Sequence, residues 1–351
     1  MNYNEGQVAL KREPGIDWLK GLAIICVVLG HAIEGSPMYQ KTEWLQVLKS
    51  AIYTFHMPLF FFLSGCTCAV SAHRNTFRKK SEEICNLLVL YIFWSGVMYI
   101  GKSVLPGVAT VVYNTGFIHC LLFAPVAPYW YMIVLCLYKA VAIAGGGGIE
   151  KWAAVIFPIT ALVSGVAPVF FDNGGSREWD YLYRILYHGV FFVGGILFFH
   201  NKEWLAMASK KGLLLFLIAL PACVLYQDNM QKLPMVKELV AWLMILALIS
   251  LARVVTDYTR RIKVIEYYGK NSLYIYVIHN YLTVIFRTVY NKFNVAVSPL
   301  IYITCNTVVA ILICVMVCEL AKRFTLINLF FQPIKETKHL RDKLFKSKNK
   351  E

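Results

Sequence analysis

Three histidines of this chain stand inside apolar runs. His31 ends the stretch IDWLKGLAIICVVLGH, His56 lies in YTFHMPLFFFLSGCTCAV, and His279 lies in GKNSLYIYVIHNYLTVIFRTVYN. An ionisable side chain in the middle of a bilayer costs about 2.5–3.5 kcal/mol on insertion scales, so each one raises a functional question. A single buried histidine is more often a satisfied packing residue, but three in three apolar runs are harder to dismiss. Imidazole is the side chain best suited to general-base work near neutral pH. Lys20 precedes His31 by eleven residues, about 16 Å of helical rise and about 20° of rotation, so the cation and the ring share one helix face. Glu34 follows three residues later and can reach the same side, where a carboxylate would fix the tautomer of His31; the alternative is an exposed residue at the outer helix end. His31, Glu34, His56 and His279 are therefore the candidate catalytic groups.

Other residues qualify for binding. Asp17 sits where an N-cap belongs at the start of the His31 helix. Pro58, two residues after His56, frees the carbonyl of Thr54 and lets the helix bend around a cavity, while Ser64 and Gly65 allow close helix approach. Asn271 or Ser272 suits the N-terminus of the His279 helix, and Arg287 lies near its far end. Trp130 and Tyr131 suit either an interfacial aromatic belt or stacking on a sugar ring. The loop HRNTFRKK carries Arg74, Arg78, Lys79 and Lys80, a density of cations that serves membrane topology or clamps the phosphates of a nucleotide-like anion such as coenzyme A.

Elements long enough to position these groups must cross a membrane. Of the 351 residues, 58% are hydrophobic and 16% charged, with a mean hydropathy of +0.56. This excludes disordered and collagen-like chains and argues against a water-soluble enzyme. Runs of roughly 20 apolar residues give ten expected spans, at about 17–35, 50–70, 84–104, 127–145, 152–171, 182–200, 212–227, 236–254, 271–290 and 299–320. The stretch 107–126 is apolar but broken by prolines, and reads as re-entrant or interfacial. Pro158, Pro168 and Pro221 predict local kinks. With the N-terminus inside and ten crossings, 26 of the 35 Lys and Arg residues fall on the cytoplasmic side. An eleventh crossing would put the basic tail outside, so ten is favoured. The expected organisation is an all-α integral membrane protein with both termini cytoplasmic. It comprises a segment 1–16 with no cleavable signal, a polytopic domain 17–321, and a basic tail 322–351 that is solvated or touches anionic lipid.

The net charge of +15 does not point to nucleic acid, because the cations lie in short clusters between apolar runs. Ten cysteines occur without a CxxC pair or zinc spacing, so they read as free, mostly buried thiols and no metal is expected. Gly145–Gly148 reads as a flexible inner turn, since no GKS/T follows it.

Three motifs together resemble the integral-membrane acyltransferase 3 family: the pattern ID-W-LKG-LAI…VVLGH, the segment FHMPLFFFLSG, and GKNSLYIYVIH. The wording is similar to the fucose 4-O-acetylase-like and exopolysaccharide-modifying branch. The resemblance implies a multi-pass enzyme of a bacterial-type inner membrane. Such enzymes transfer acetyl, or another short acyl group, from cytoplasmic acyl-CoA to a hydroxyl of a cell-envelope glycan. The family's Arg–ten residues–His pattern maps to Lys20 and His31, with lysine in place of the planar fork. The family's basic cluster maps to Arg78, Lys79 and Lys80. His31 then serves as general base or transient acyl carrier, and Tyr131 and Arg287 hold the glycan. The competing class is a proton-coupled transporter or flippase of a glycan or small amino acid, which ten spans and intramembrane histidines also fit. Against it stand the absence of an evident inverted repeat and the HRNTFRKK cluster.

Overall fold

Each of the ten apolar runs folds as a helix. The computed structural model describes residues 14–104, 115–171, 175–200, 212–226, 233–258, 263–293 and 297–348, and contains no strand among them. The helices are α1 (Pro14–Glu34), α2 (Glu43–Arg74), α3 (Phe77–Val104), the short α4 (Phe117–Leu122), α5 (Trp130–Ala144), α6 (Ile149–Phe171), α7 (Arg177–His200), α8 (Gly212–Leu225), α9 (Val236–Tyr258), α10 (Lys263–Lys270), α11 (Ser272–Phe293), α12 (Pro299–Arg323), α13 (Thr325–Asn328) and α14 (Pro333–Lys348). Seven of them, α1, α2, α3, α6, α7, α9 and α12, are long and apolar enough to cross a membrane, which makes this a multi-pass membrane protein. Two more, Trp130–Ala144 and Leu214–Leu225, are apolar but shorter. Helix α11 has the length, with its hydropathy lowered by His279, Asn280, Arg287 and Lys292. Several helices run beyond the apolar run that announces them. The 32-residue α2 starts seven residues before its expected span, because helical hydrogen bonding continues into polar turns that hydropathy does not count.

The stretch 107–126 does not cross in its described part. Residues 107–114 lie outside the described residues, and α4 has six residues, about 9 Å of rise against about 30 Å of hydrocarbon. It is held as a cap over the bundle end: Tyr91 Oη donates to Leu121 O at 2.7 Å and Arg177 to Pro125 O at 3.2 Å. Helices α2, α6 and α8 continue through Pro58, Pro158, Pro168 and Pro221. The glycine run is a 3-10 turn between α5 and α6, and Gly146 takes a positive φ of 65°. All ten cysteines are free thiols, seven of them buried.

Two glycine-mediated crossings set the bundle. A Cβ on Gly65 of α2 would lie 2.0 Å from Phe192 O of α7, and one on Gly195 of α7 would lie 2.0 Å from Phe62 O of α2. The second crossing joins α1 to α10, where a Cβ on Gly21 meets Ile265 O at 1.9 Å and one on Gly269 meets Asp17 O at 1.7 Å. Small residues let backbones approach where lipid supplies no hydrophobic driving force between helices. Five ion pairs mark the two ends of the bundle. Lys49–Glu34 and Arg184–Asp180 lie at the His31 end, and Lys139–Glu83, Lys322–Glu319 and Lys338–Glu82 at the opposite, lysine-rich end.

The chain beyond 321 folds back on the bundle. Phe331, 3% exposed, stacks on Tyr274 with ring centroids 4.8 Å apart. Trp94 Nε1 donates to Phe330 O at 3.0 Å, and Gln332 Nε2 to Tyr274 Oη at 2.7 Å. Helix α14 thereby lies against α3.

Candidate active site

A cavity of about 510 Å³ opens at the His31 end. Helix α1 brings His31 and Glu34 to it, α2 brings Lys49, Tyr53 and His56, α5 brings Trp130, α7 brings Asp180, Arg184 and His188, and α11 brings Tyr276. The loop after α1 is short, so α1 and α2 run antiparallel and both of their histidines border the cavity. The His31 ring centroid lies 5.2 Å from that of His279 and 6.5 Å from that of Tyr53, and Tyr53 lies 4.8 Å from His56.

Backbone and carboxylate partners fix the rings. His31 Nδ1 lies 3.5 Å from Glu34 Oε2. Glu34 also accepts from Lys49 Nζ at 3.0 Å and from Tyr53 Oη at 3.0 Å. Three donors on one carboxylate hold it in place. In a neutral ring, a carboxylate facing Nδ1 favours the proton there, which leaves the lone pair on Nε2. His56 Nδ1 faces Ile52 O at 2.7 Å, His188 Nδ1 faces Arg184 O at 2.8 Å, and His279 Nδ1 faces Tyr276 O at 2.8 Å. Carbonyl oxygens only accept, so in each neutral ring Nδ1 donates and Nε2 is the bare acceptor. His279 is fully buried and its Nε2 has no hydrogen-bond partner, an arrangement with a cost unless it has a task. The remaining wall is aromatic and cationic. The Arg184 guanidinium lies 4.4 Å from the Trp130 ring centre, and Lys49 Nζ lies 4.9 Å from that of Tyr53. Rings for stacking, a positioned base and nearby cations suit a polyhydroxylated acceptor whose hydroxyl is to be deprotonated.

A second cavity, about 910 Å³, lies at the lysine-rich end between α3, α12 and α14. The two cavities share no lining residue, yet Leu273 lines one and Tyr276 the other. Those residues are about one turn of α11 apart, roughly 4.5 Å of rise.

The family whose signature describes an acyltransferase domain, acyltransferase 3, matches residues 13–319. The chain belongs to the acyltransferase 3 family. It is similar to the nodulation protein NolL of Sinorhizobium fredii, at 29% identity over 63% of this chain and 58% of that protein. It is also similar to the nodulation protein NolL of Mesorhizobium japonicum, at 34% identity over 26% of this chain and 25% of that one. The chain thus spans less than two thirds of the length of these relatives. No solved structure matches it.

Within this acyltransferase-family bundle, His31, Glu34, His56 and Trp130 border one cavity, and His279 lies directly behind His31. Ser64 and Tyr131 bond to each other at 2.8 Å, and neither lines the cavity. Arg287 stands beside Gly35 at the helix end, also off the cavity wall. Asp17 falls in the first turn of α1, which starts at Pro14. The Asn271 side chain donates back to Tyr267 O at 2.7 Å at the α10–α11 junction, and Lys20 lines neither cavity. The basic loop does not converge on one point. Arg78 pairs with Glu82 at 3.2 Å, Lys80 donates to Ala72 O at 2.9 Å, and Lys79 alone of the described cluster borders the large cavity. The Arg74 side chain lies outside the described residues.

Sequence reading missed His188, Tyr53, Lys49 and Arg184. His188 had a signal: it is an imidazole inside the apolar run YHGVFFVGG and meets the criterion that selected the other three. Tyr53, Lys49 and Arg184 sit near span ends, where their types are expected as interfacial anchors, and only the fold brings them to Glu34 and Trp130.

Proposed function

We propose that the protein is a membrane O-acyltransferase that moves an acetyl or similar short acyl group from acyl-CoA, arriving at the lysine-rich end, to a hydroxyl of a cell-envelope glycan held in the His31 cavity. The observation that carries this reading is the His31–Glu34 pair, an imidazole held by a carboxylate on the wall of an aromatic-lined cavity. His31 Nε2 takes the proton from the acceptor hydroxyl as the oxygen attacks the thioester carbonyl. The C–S bond then breaks, and the proton held on His31 goes to the departing thiolate. Glu34 keeps the intermediate imidazolium oriented and charge-balanced, as the carboxylate does in other base–carboxylate pairs. Lys49 and Arg184, each paired with a carboxylate, border the same cavity as hydrogen-bond donors. His279, with an unpartnered Nε2 beside His31, is placed to share the proton.

Purified protein in detergent, given acetyl-CoA and the glycan, is expected to release free thiol and acetylate the sugar. A transporter does neither without a sealed vesicle. His31→Ala and His31→Gln are expected to abolish transfer with protein level retained. Full acetylation by either variant would falsify the catalytic role.

A further inference from the structure

The large cavity at the lysine-rich end carries both signs of charge, and its pairings sort them. Glu82 is taken by Lys338 at 2.5 Å and Arg78 at 3.2 Å. Glu83 accepts from Lys139 at 3.2 Å and from Asn75 at 3.0 Å. Glu336 accepts from Asn328 at 2.8 Å, and Lys322 binds Glu319 at 2.8 Å. Asp342 has Arg341 at 3.8 Å. Among the described residues this leaves the lysines Lys79 and Lys335, with His339, bordering the cavity without an ion pair, against the single carboxylate of Glu336, which has only the Asn328 amide. The first turn of α14 borders the same space through Ile334, Lys335 and Glu336. The positive end of a 16-residue helix therefore adds to the field of the two lysines. Lys335 and this helix lie beyond residue 319, where the acyltransferase match ends. They are nonetheless locked in place by Phe331 on Tyr274 and by Ile334 N donating to Asn86 Oδ1 at 3.3 Å.

We infer that the chain past the matched domain completes the donor site: Lys335 on α14 and Lys79 on α3 together bind the phosphate-bearing end of the acyl donor in the 910 Å³ cavity. This rests on the acyl-CoA reading above and adds which residues grip the donor's handle. The cavity has room for a nucleotide-sized group, and its neutral amides Asn75, Asn86 and Gln332 suit a base and ribose.

The test is calorimetric titration of the full-length protein in detergent with adenosine 3′,5′-bisphosphate. Saturable binding is expected from the wild type. Lys335→Glu and Lys79→Glu, on separate helices, are each expected to weaken it by about tenfold or more, an attraction turned to repulsion across a partly screened distance. Lys335→Arg, which keeps the charge, should stay within about twofold. Arg341→Glu, on the same helix but off the cavity wall, should bind as wild type does, and melting temperatures of all variants confirm that α14 stays docked. Phosphatidylglycerol added to the micelles should not displace the bisphosphate. Absence of saturable wild-type binding, unchanged binding by Lys335→Glu, or displacement by the lipid overturns the inference. Acetyl transfer is read separately, so a protein that binds the bisphosphate but acetylates nothing loses the proposed function and keeps this site.

Discussion

In the proposed reaction, Glu34 is the residue on which the His31 chemistry turns. It faces His31 Nδ1 at 3.5 Å while accepting from Lys49 and Tyr53 at 3.0 Å each, so it holds the ring's orientation and its tautomer at once. Glu34→Gln keeps the shape, removes the charge, and offers an amide N–H where the ring now presents its own. The variant is expected to lower kcat by about 10²-fold or more with KM for the glycan nearly unchanged, since the contact acts on the proton-transfer step and not on acceptor binding. Steady-state kinetics check this, and an unaltered kcat would remove Glu34 from the mechanism. At this scale the sequence picked out some of the residues that gather around the cavity. His31, Glu34, His56 and His279 were legible because an ionisable group inside an apolar run is conspicuous. Tyr53 and Lys49 were not, because nothing in their own neighbourhood separates a ligand of Glu34 from an interfacial anchor. Ser64 and Tyr131 were singled out separately, and their bond to each other was visible only once α2 and α5 were side by side.

Among the elements, α2 and α7 carry much of the cavity wall, and their register is set by Gly65 and Gly195. Each glycine leaves room for a carbonyl of the opposite helix, with a Cβ at 2.0 Å in both directions. Gly195→Ala must push α7 away from α2, and backbone cannot yield as a flexible side chain can. The expected cost is about 1–3 kcal/mol from overpacking, read as a lower Tm of the detergent-purified protein. Activity should fall as well, since His188 and Arg184 ride on α7. Gly101→Ala on α3 is the control: its Cβ meets nothing within 4 Å, and alanine suits a helix better than glycine by about 1 kcal/mol. Equal melting of the two variants would refute the close-crossing account. The helices themselves were legible, all ten of them, since apolar runs of this length leave few alternatives. Helix α14 was not, because PIKETKHLRDKLFKSK has the composition of a solvated tail and its docking depends on Phe331, outside the helix, finding Tyr274.

For the whole molecule, two cavities that share no lining residue, one at the His31 end and one at the lysine-rich end, give the sidedness of the protein a functional meaning. Acidic and basic partners never pair across the bundle among the described residues: Glu34 meets Lys49 at one end, and Glu83 meets Lys139 at the other. The alternation of ten crossings read from the positive-inside rule puts those partners on the same sides. Which helices become neighbours was not legible, since crossings such as α1 with α10 depend on glycines whose partners are hundreds of residues away. The sidedness fixes where two exposed residues must lie. Lys41, exposed in the turn Tyr39–Lys41 beside the His31 cavity, and Arg341, exposed on α14, should lie on opposite faces of the membrane. Lys41→Cys in intact cells is expected to react with a membrane-impermeant maleimide, while Arg341→Cys should react only after permeabilisation. Each is read against the wild-type signal, because Cys85 and Cys305 are already exposed. The reverse pattern would place the His31 cavity in the cytoplasm, where an acyl-CoA would meet it directly and an envelope glycan would not.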